Sequence, residues 1–239
     1  MKKIIFIFIL TLSIIPLTAQ QRTEPYVFPV KPGTEEWAKL STSKQMDEVC
    51  IIPEQVLKSL STEALLITCL NYPRIIDFFL VSNLQSGFDF YSKHFNGLAE
   101  LIKRPDLGAI CLKAYSSLDL TEARISGNKQ ELNILQIGFL ELFLSQDVIL
   151  DQLRKGEKMS LLKEAINKLE KRRELKESLN RHVTTALIIS RILNSENLCP
   201  SGYDNYGNNI YDVFNSHAIV IDTSLFENLL HLSKEVYFE

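Results

Sequence analysis

The chain has 239 residues, 46% of them hydrophobic and 23% charged, with a formal net charge of −3. That much apolar material excludes a disordered chain, which lacks the means to bury a core. The weakly acidic balance carries no electrostatic footprint for nucleic acid.

The first element is the N-terminal stretch MKKIIFIFILTLSIIPLTAQ. Lys2 and Lys3 precede an uncharged apolar run from Ile4 to Ile15, followed by Pro16 and small or polar residues around Ala19. This is the layout of a secretory signal peptide, residues 1–20, with cleavage expected near Ala19 or Gln20. The run is shorter than the roughly 20 residues a membrane-crossing helix needs. An exported protein is expected, periplasmic or extracellular, with no stable membrane span after cleavage and no cysteine near enough to that point to accept a lipid anchor.

Residues 21–33 contain Pro25, Pro29, Pro32 and Gly33 without helical periodicity and read as an extended lead-in. A helical domain is expected over 34–193. Thr34 can cap the first helix, with Glu35 and Glu36 suiting its positive end, and Trp37 reads as its anchor. Short periodic runs follow at SKQMDEVC, at PEQVLKSL behind Pro53, and at STEALLITCL, where Leu65, Leu66, Cys69 and Leu70 share one face. Pro73 cannot continue that helix but suits the first turn of another, so PRIIDFFLV reads as an immediate second helix. LQSGFDFYSKHF and GLAELIKR come next, with Asn83 and Asn96 as expected caps, then PDLGAICLKAYSSL opened by Pro105. Brief helices with short joints predict a solenoid-like stack of antiparallel helices, but no fixed period marks a true repeat.

Longer helices are expected in the second half. Asn128 and Glu131 form a capping-box pattern ahead of LNILQIGFLELFL, a central buried helix. Between Arg154 and Arg181 lie ten Lys or Arg and five Glu, and the apolar stripe of Leu162, Ile166 and Leu169 fades at EKRRE. Such a charge run reads as a solvated outer face. After HVTTALIISRIL the composition shifts to Asn, Ser, Gly and Tyr. Gly207-Asn208 could turn a small β-hairpin near 203–213, and Tyr203, Tyr206 and Tyr211 offer the amphipathic area that binding loops favour. Residues 194–239 read as this loop or hairpin plus a C-terminal helix from Ser224, with Glu227 completing a capping box. Leu225, Phe226, Leu229, Leu230 and Leu232 would dock that helix on the same domain. The predicted fold class is all-α.

No H-E-x-x-H, C-x-x-C, G-x-S-x-G, P-loop or dinucleotide fingerprint occurs. The sequence therefore assigns no catalytic, cofactor or metal residue, and an enzyme is the less favoured reading. Two weaker constellations remain. Cys199 with His217 or His231 could form a thiol–histidine pair, the basis of an alternative reading as a thiol-dependent hydrolase. Asp204, Asn205, Asn208, Asn209 and Asp212 could present oxygens to Ca²⁺, but lack EF-hand order and read as turn formers. Cys50, Cys69 and Cys111 sit among apolar neighbours and read as small buried hydrophobes, although four cysteines allow three disulfide pairings and spacing does not choose among them. Phe78, Phe79, Phe88, Phe90, Tyr91 and Phe95 read as core, with a ligand groove as the lesser alternative.

The stretches KPGTEEWAKL, IPEQVLKSLSTEALLITCLNYP, FNGLAELIKRPD, IGFLELFLSQDVILDQL and TTALIISRIL resemble a group of exported helical bacterial proteins from Bacteroidetes and Firmicutes that carries no assigned activity. The likeness covers roughly residues 29 to 194. In some of the Firmicutes chains the helical region precedes an NCHSYAWY-like motif suggestive of a papain-like hydrolase. That motif is missing from these 239 residues, so no catalytic residue carries over. The resemblance implies a helical module, and the function expected is binding or scaffolding at the cell envelope, with an unidentified protein or envelope component as partner.

Overall fold

A computed structural model describes residues 21–81, 83–121, 128–199, 202, 207–220 and 222–238, without the side chains of 128–133 and 238. The expected signal peptide and the Asn128–Glu131 cap lie outside what is described. The fold is all-α, with an isolated β bridge between Arg22 and Leu60. The first half holds α1 (Glu35–Ala38), α2 (Ser43–Val49), α3 (Glu54–Ser59), α4 (Thr62–Leu70), a 3-10 helix (Ile75–Phe79), α5 (Leu84–His94), α6 (Asn96–Leu101) and α7 (Leu107–Ser116). The second holds α8 (Asn128–Leu144), α9 (Asp147–Leu150), α10 (Lys155–Glu174), α11 (Leu179–Ser195), α12 (Ile210–His217) and α13 (Ser224–Phe238).

Caps punctuate the short helices. Thr34, Ser61 and Asn83 accept from backbone N–H groups three residues on, and Thr42 with Gln45 forms a complete capping box. Asn96 is not a cap. Its amide clamps the backbone of Ile52 in both directions, Nδ2 donating to Ile52 O at 2.7 Å and Oδ1 accepting from Ile52 N at 3.1 Å. The Ser224–Glu227 box also fails to form: Asp222 accepts from Ser224 N, and Glu227 reaches across to Arg173 at 2.7 Å.

In α4, Leu65, Leu66 and Cys69 are buried as a set. The run after Pro73 closes into a 3-10 helix instead of the expected longer helix. Its three-residue period stacks Ile75 above Phe78, both buried, and turns Ile76 and Phe79 to another side. Gly87 of α5 packs against this turn so closely that a Cβ there would lie 2.8 Å from Phe78 O. Most of the aromatic run is core. Tyr72 stacks on Phe95 at 4.1 Å, Phe78 stacks on Tyr91 at 4.4 Å, and Phe78 meets the edge of Phe139 in α8 at 4.5 Å, joining the two halves. Phe90 is exposed, and Phe79 is only half-buried.

In the second half, α11 is apolar on nearly all sides and is enclosed by α8, α10, α12 and α13. The link from α10 to α11 turns through Lys176 at φ +52°, with Glu177 N bonded to Arg172 O and Lys176 N to Arg173 O. This Schellman pattern satisfies the last carbonyls of α10 and folds Glu177 back over it.

Two further expectations are corrected. The charged run is not simply a solvated face, because Lys168 and Arg172 of α10 are buried. The hairpin expected near 203–213 has no second strand: those residues form the helix α12 from Ile210, started by Asn209, whose side chain accepts from Tyr211 N. Tyr211, Phe214 and Ala218 are buried at helical spacing. Tyr211 is 3% exposed, so its ring offers no partner surface, while Tyr203 and Tyr206 lie outside the described residues.

Candidate functional site

A groove of about 850 Å³ opens where the 3-10 helix, α8, the α10–α11 turn, residues 218–220 and the start of α13 meet. Its size falls within the roughly 300–1,000 Å³ of small-molecule sites. Ile76, Phe79, Val81 and Leu84 line it from the first half of the chain, and Val220 and Phe226 from the second. Gly138 of α8 lies at the floor, where a Cβ would meet the Phe79 ring at 3.3 Å, so the missing side chain lets that ring settle over α8. The first turn of α11, from Ser178 to Arg181, also lines it. Around the mouth, Ile76 is 48%, Leu179 50% and neighbouring Leu80 73% exposed. Clustered exposed aliphatics of this kind mark a binding surface more often than chance.

Beneath the groove lies an ionic cluster. Arg172 and Thr184 belong both to its lining and to this cluster, which centres on the fully buried Glu141 of α8. One carboxylate oxygen of Glu141 accepts from Tyr115 OH at 3.0 Å and Thr185 Oγ1 at 2.8 Å, the other from Thr184 Oγ1 at 2.5 Å. Arg172 Nη2 donates to both at 3.2 and 3.1 Å. The same guanidinium gives Nε to Thr185 Oγ1 at 3.0 Å and Nη1 to Glu177 at 2.8 Å. Burial acts to lower the Arg172 pKa, but Glu141, Tyr115 and Glu177 outweigh it and hold the group firmly charged. Burial, then the Glu141 charge, drives the Tyr115 hydroxyl well above its ordinary value, keeping it a donor. Lys168 sits 4.5 Å over the Tyr115 ring while paired with Glu164 at 3.2 Å. Every acceptor site on Glu141 is used, which is the arrangement a buried carboxylate requires.

His182, near this cluster, is buried with Nε2 unpaired, its ring edge-on to Phe226 at 5.9 Å. Burial, then Arg172, lowers its pKa.

The Cys199 thiol does not pair with an imidazole. It donates to Ser190 O at 3.3 Å, with Ser190 Oγ and Asn215 Nδ2 at 4.0 Å. Burial raises its pKa, the opposite of what a thiolate nucleophile needs. His231 faces Glu235 at 3.4 Å on an exposed side of α13, and neither it nor His217 is among the groups acting on the thiol. All four cysteines are free, with Cys50, Cys69 and Cys111 buried. Of the oxygens considered for Ca²⁺, Asp204 and Asn205 lie outside the described residues, and Asn209 is occupied as the α12 cap.

The residue pattern does not show the ionic cluster, and it offers a ligand groove only as the lesser alternative for the aromatic run, of which Phe79 alone lines this one. By pattern alone Phe79 reads as core and Arg172 as part of a solvated face. The available signal was Glu141 itself, the one acid inside the apolar run NILQIGFLELFL, which could be buried only with partners. Among the described residues no helix is long and apolar enough to cross a membrane. No family model, curated protein or solved structure matches the chain.

Proposed function

We propose that this is an exported binding protein of the bacterial cell envelope that takes an apolar chain into the groove between the 3-10 helix, α8 and the start of α11. The observation that carries this reading is an apolar groove of about 850 Å³ rimmed by exposed aliphatics. Burying such a rim against a ligand gives about 25 cal/mol per Å² of apolar area removed from water. The floor beneath is held by the saturated Glu141–Arg172 cluster and by tight packing of Phe79 over Gly138, so the site is preformed and loses little entropy on binding. Export rests on the N-terminal pattern of Lys2, Lys3 and the apolar run behind them.

The test is titration with a neutral apolar fluorophore, N-phenyl-1-naphthylamine. Saturable binding of one probe per chain is expected. Val183, half-buried on α11 and part of the lining, allows a block: Val183→Trp should remove binding while far-UV circular dichroism is unchanged. A folded wild-type chain that leaves the probe dark would refute the proposal.

A further inference from the structure

The inference that follows rests on the groove reading and gives its ligand a charge. We infer that the occupant is a single-chain anionic amphiphile of the long-chain carboxylate class, tail along the groove and head at Arg181. Two of the described lining residues are arginines, Arg172 and Arg181, and none is an aspartate or glutamate. The carboxylates that balance them are closed off from the groove. Glu141 is fully buried, and the Glu177 side chain is 3% exposed and already bonded to Arg172 at 2.8 Å. Arg172 spends its donors on Thr185, Glu177 and Glu141. Arg181 does not: its nearest carboxylate, Glu177, is 4.0 Å away, and its side chain is 38% exposed.

The four charges sum to zero, yet the two negative ones lie behind and a positive one with open donors faces the mouth. A passing anion therefore meets attraction there, and a passing cation meets repulsion. The first turn of the seventeen-residue α11 lies at the same mouth and adds positive potential. The volume of about 850 Å³ suits one chain and a compact head better than a two-tailed lipid.

The experiment uses the full mature protein and three twelve-carbon amphiphiles below their micelle concentrations: dodecanoate, dodecanol and dodecyltrimethylammonium. Each is titrated against bound N-phenyl-1-naphthylamine. Dodecanoate should displace the probe at a concentration roughly two- to five-fold lower than dodecanol, the range an exposed ion pair supplies. The ammonium compound should be weakest. Raising the salt concentration should narrow the spread. Arg181→Glu should put the ammonium compound ahead of dodecanoate while dodecanol stays put; circular dichroism checks the fold, which an exposed, loosely paired side chain does not hold together. Equal potency for all three, or an order unmoved by Arg181→Glu, would overturn the anionic assignment and leave the groove reading standing. Displacement by none of them, from a chain that does bind the probe, would overturn the amphiphile class. Failure of the folded chain to bind even the probe would remove both readings.

Discussion

Glu141 and Arg172 provide the sharpest energetic test of the fold that holds the groove. Replacing Glu141 by Leu leaves the hydroxyls of Tyr115, Thr184 and Thr185, together with Arg172 Nη2, without their buried acceptor. Breaking a buried ionic cluster by removing one partner costs about 3–5 kcal/mol. For a chain of this size each kcal/mol lowers the melting temperature by about 2–4 °C, so a fall of about 6–20 °C is expected. Arg172→Met should cost about as much, because it leaves Glu141 and Glu177 buried together, two like charges without their shared cation. The double variant Glu141→Leu/Arg172→Met removes the mismatch between those two but leaves the buried Glu177 without its Arg172 partner. Its cost should fall short of the sum by about 1–2 kcal/mol, as residues in one network couple. Urea unfolding followed by far-UV circular dichroism measures all four corners of the cycle. Single variants that lose less than about 1 kcal/mol, or strictly additive losses, would show that the cluster is not an energetic unit.

Arg191 is another buried cation, whose hydrogen-bond partners are carbonyl and amide oxygens with no carboxylate among them. It donates to Ser145 O just past α8, to Asn215 O in the last turn of α12 and to Gln85 Oε1, so it sits at two negative helix ends. Lysine lacks the fork that spans three acceptors, and Arg191→Lys should cost about 2 kcal/mol or more in the same urea assay; an unmoved midpoint would contradict this. The lowered pKa of His182 means that the folded state binds fewer protons than the unfolded one, so stability is full above the ordinary value of 6.5 and declines as pH falls through it towards the folded pKa. His182→Leu should flatten the stability profile between about pH 5 and 7, and a profile as steep as wild type would sink the assignment. Finally, burial pushes the Cys50 thiol up to about 12 and raises Cys69 and Cys111 as well, so a thiol reagent should leave these three untouched in the native protein and modify Cys199 only slowly. Denaturant without reductant should release all four thiols, and a count of two would reveal a disulfide.

The likeness of the first half to a stack of brief helices was legible because its signals are local. Thr34, Thr42, Ser61 and Asn83 cap within three residues, and helical spacing at Leu65, Leu66 and Cys69 commits one face to the core. The same local logic failed where a side chain had a distant partner. Asn96 has the chemistry of a cap but spends its amide on Ile52, forty-four residues away. Asn209 went the other way: an asparagine among turn formers proved to cap α12, and Tyr211 turned inward with Phe214.

What the sequence by itself determined is therefore the class, all-α, and the greasy face of most helices, because capping and periodicity act over three or four residues. Only the tertiary structure decided which charges and which apolar residues lie where. Arg172 is one of ten basic residues between Arg154 and Arg181, and nothing nearby distinguishes it from Arg173, which reaches out to Glu227. Its burial follows from Glu141 in α8 and Thr185 in α11, brought to it from 31 and 13 residues away. The groove has the same origin. Phe79, Gly138, Val183 and Phe226 are ordinary apolar positions along the chain, and they become walls only because helices from both halves fail to close completely over one another.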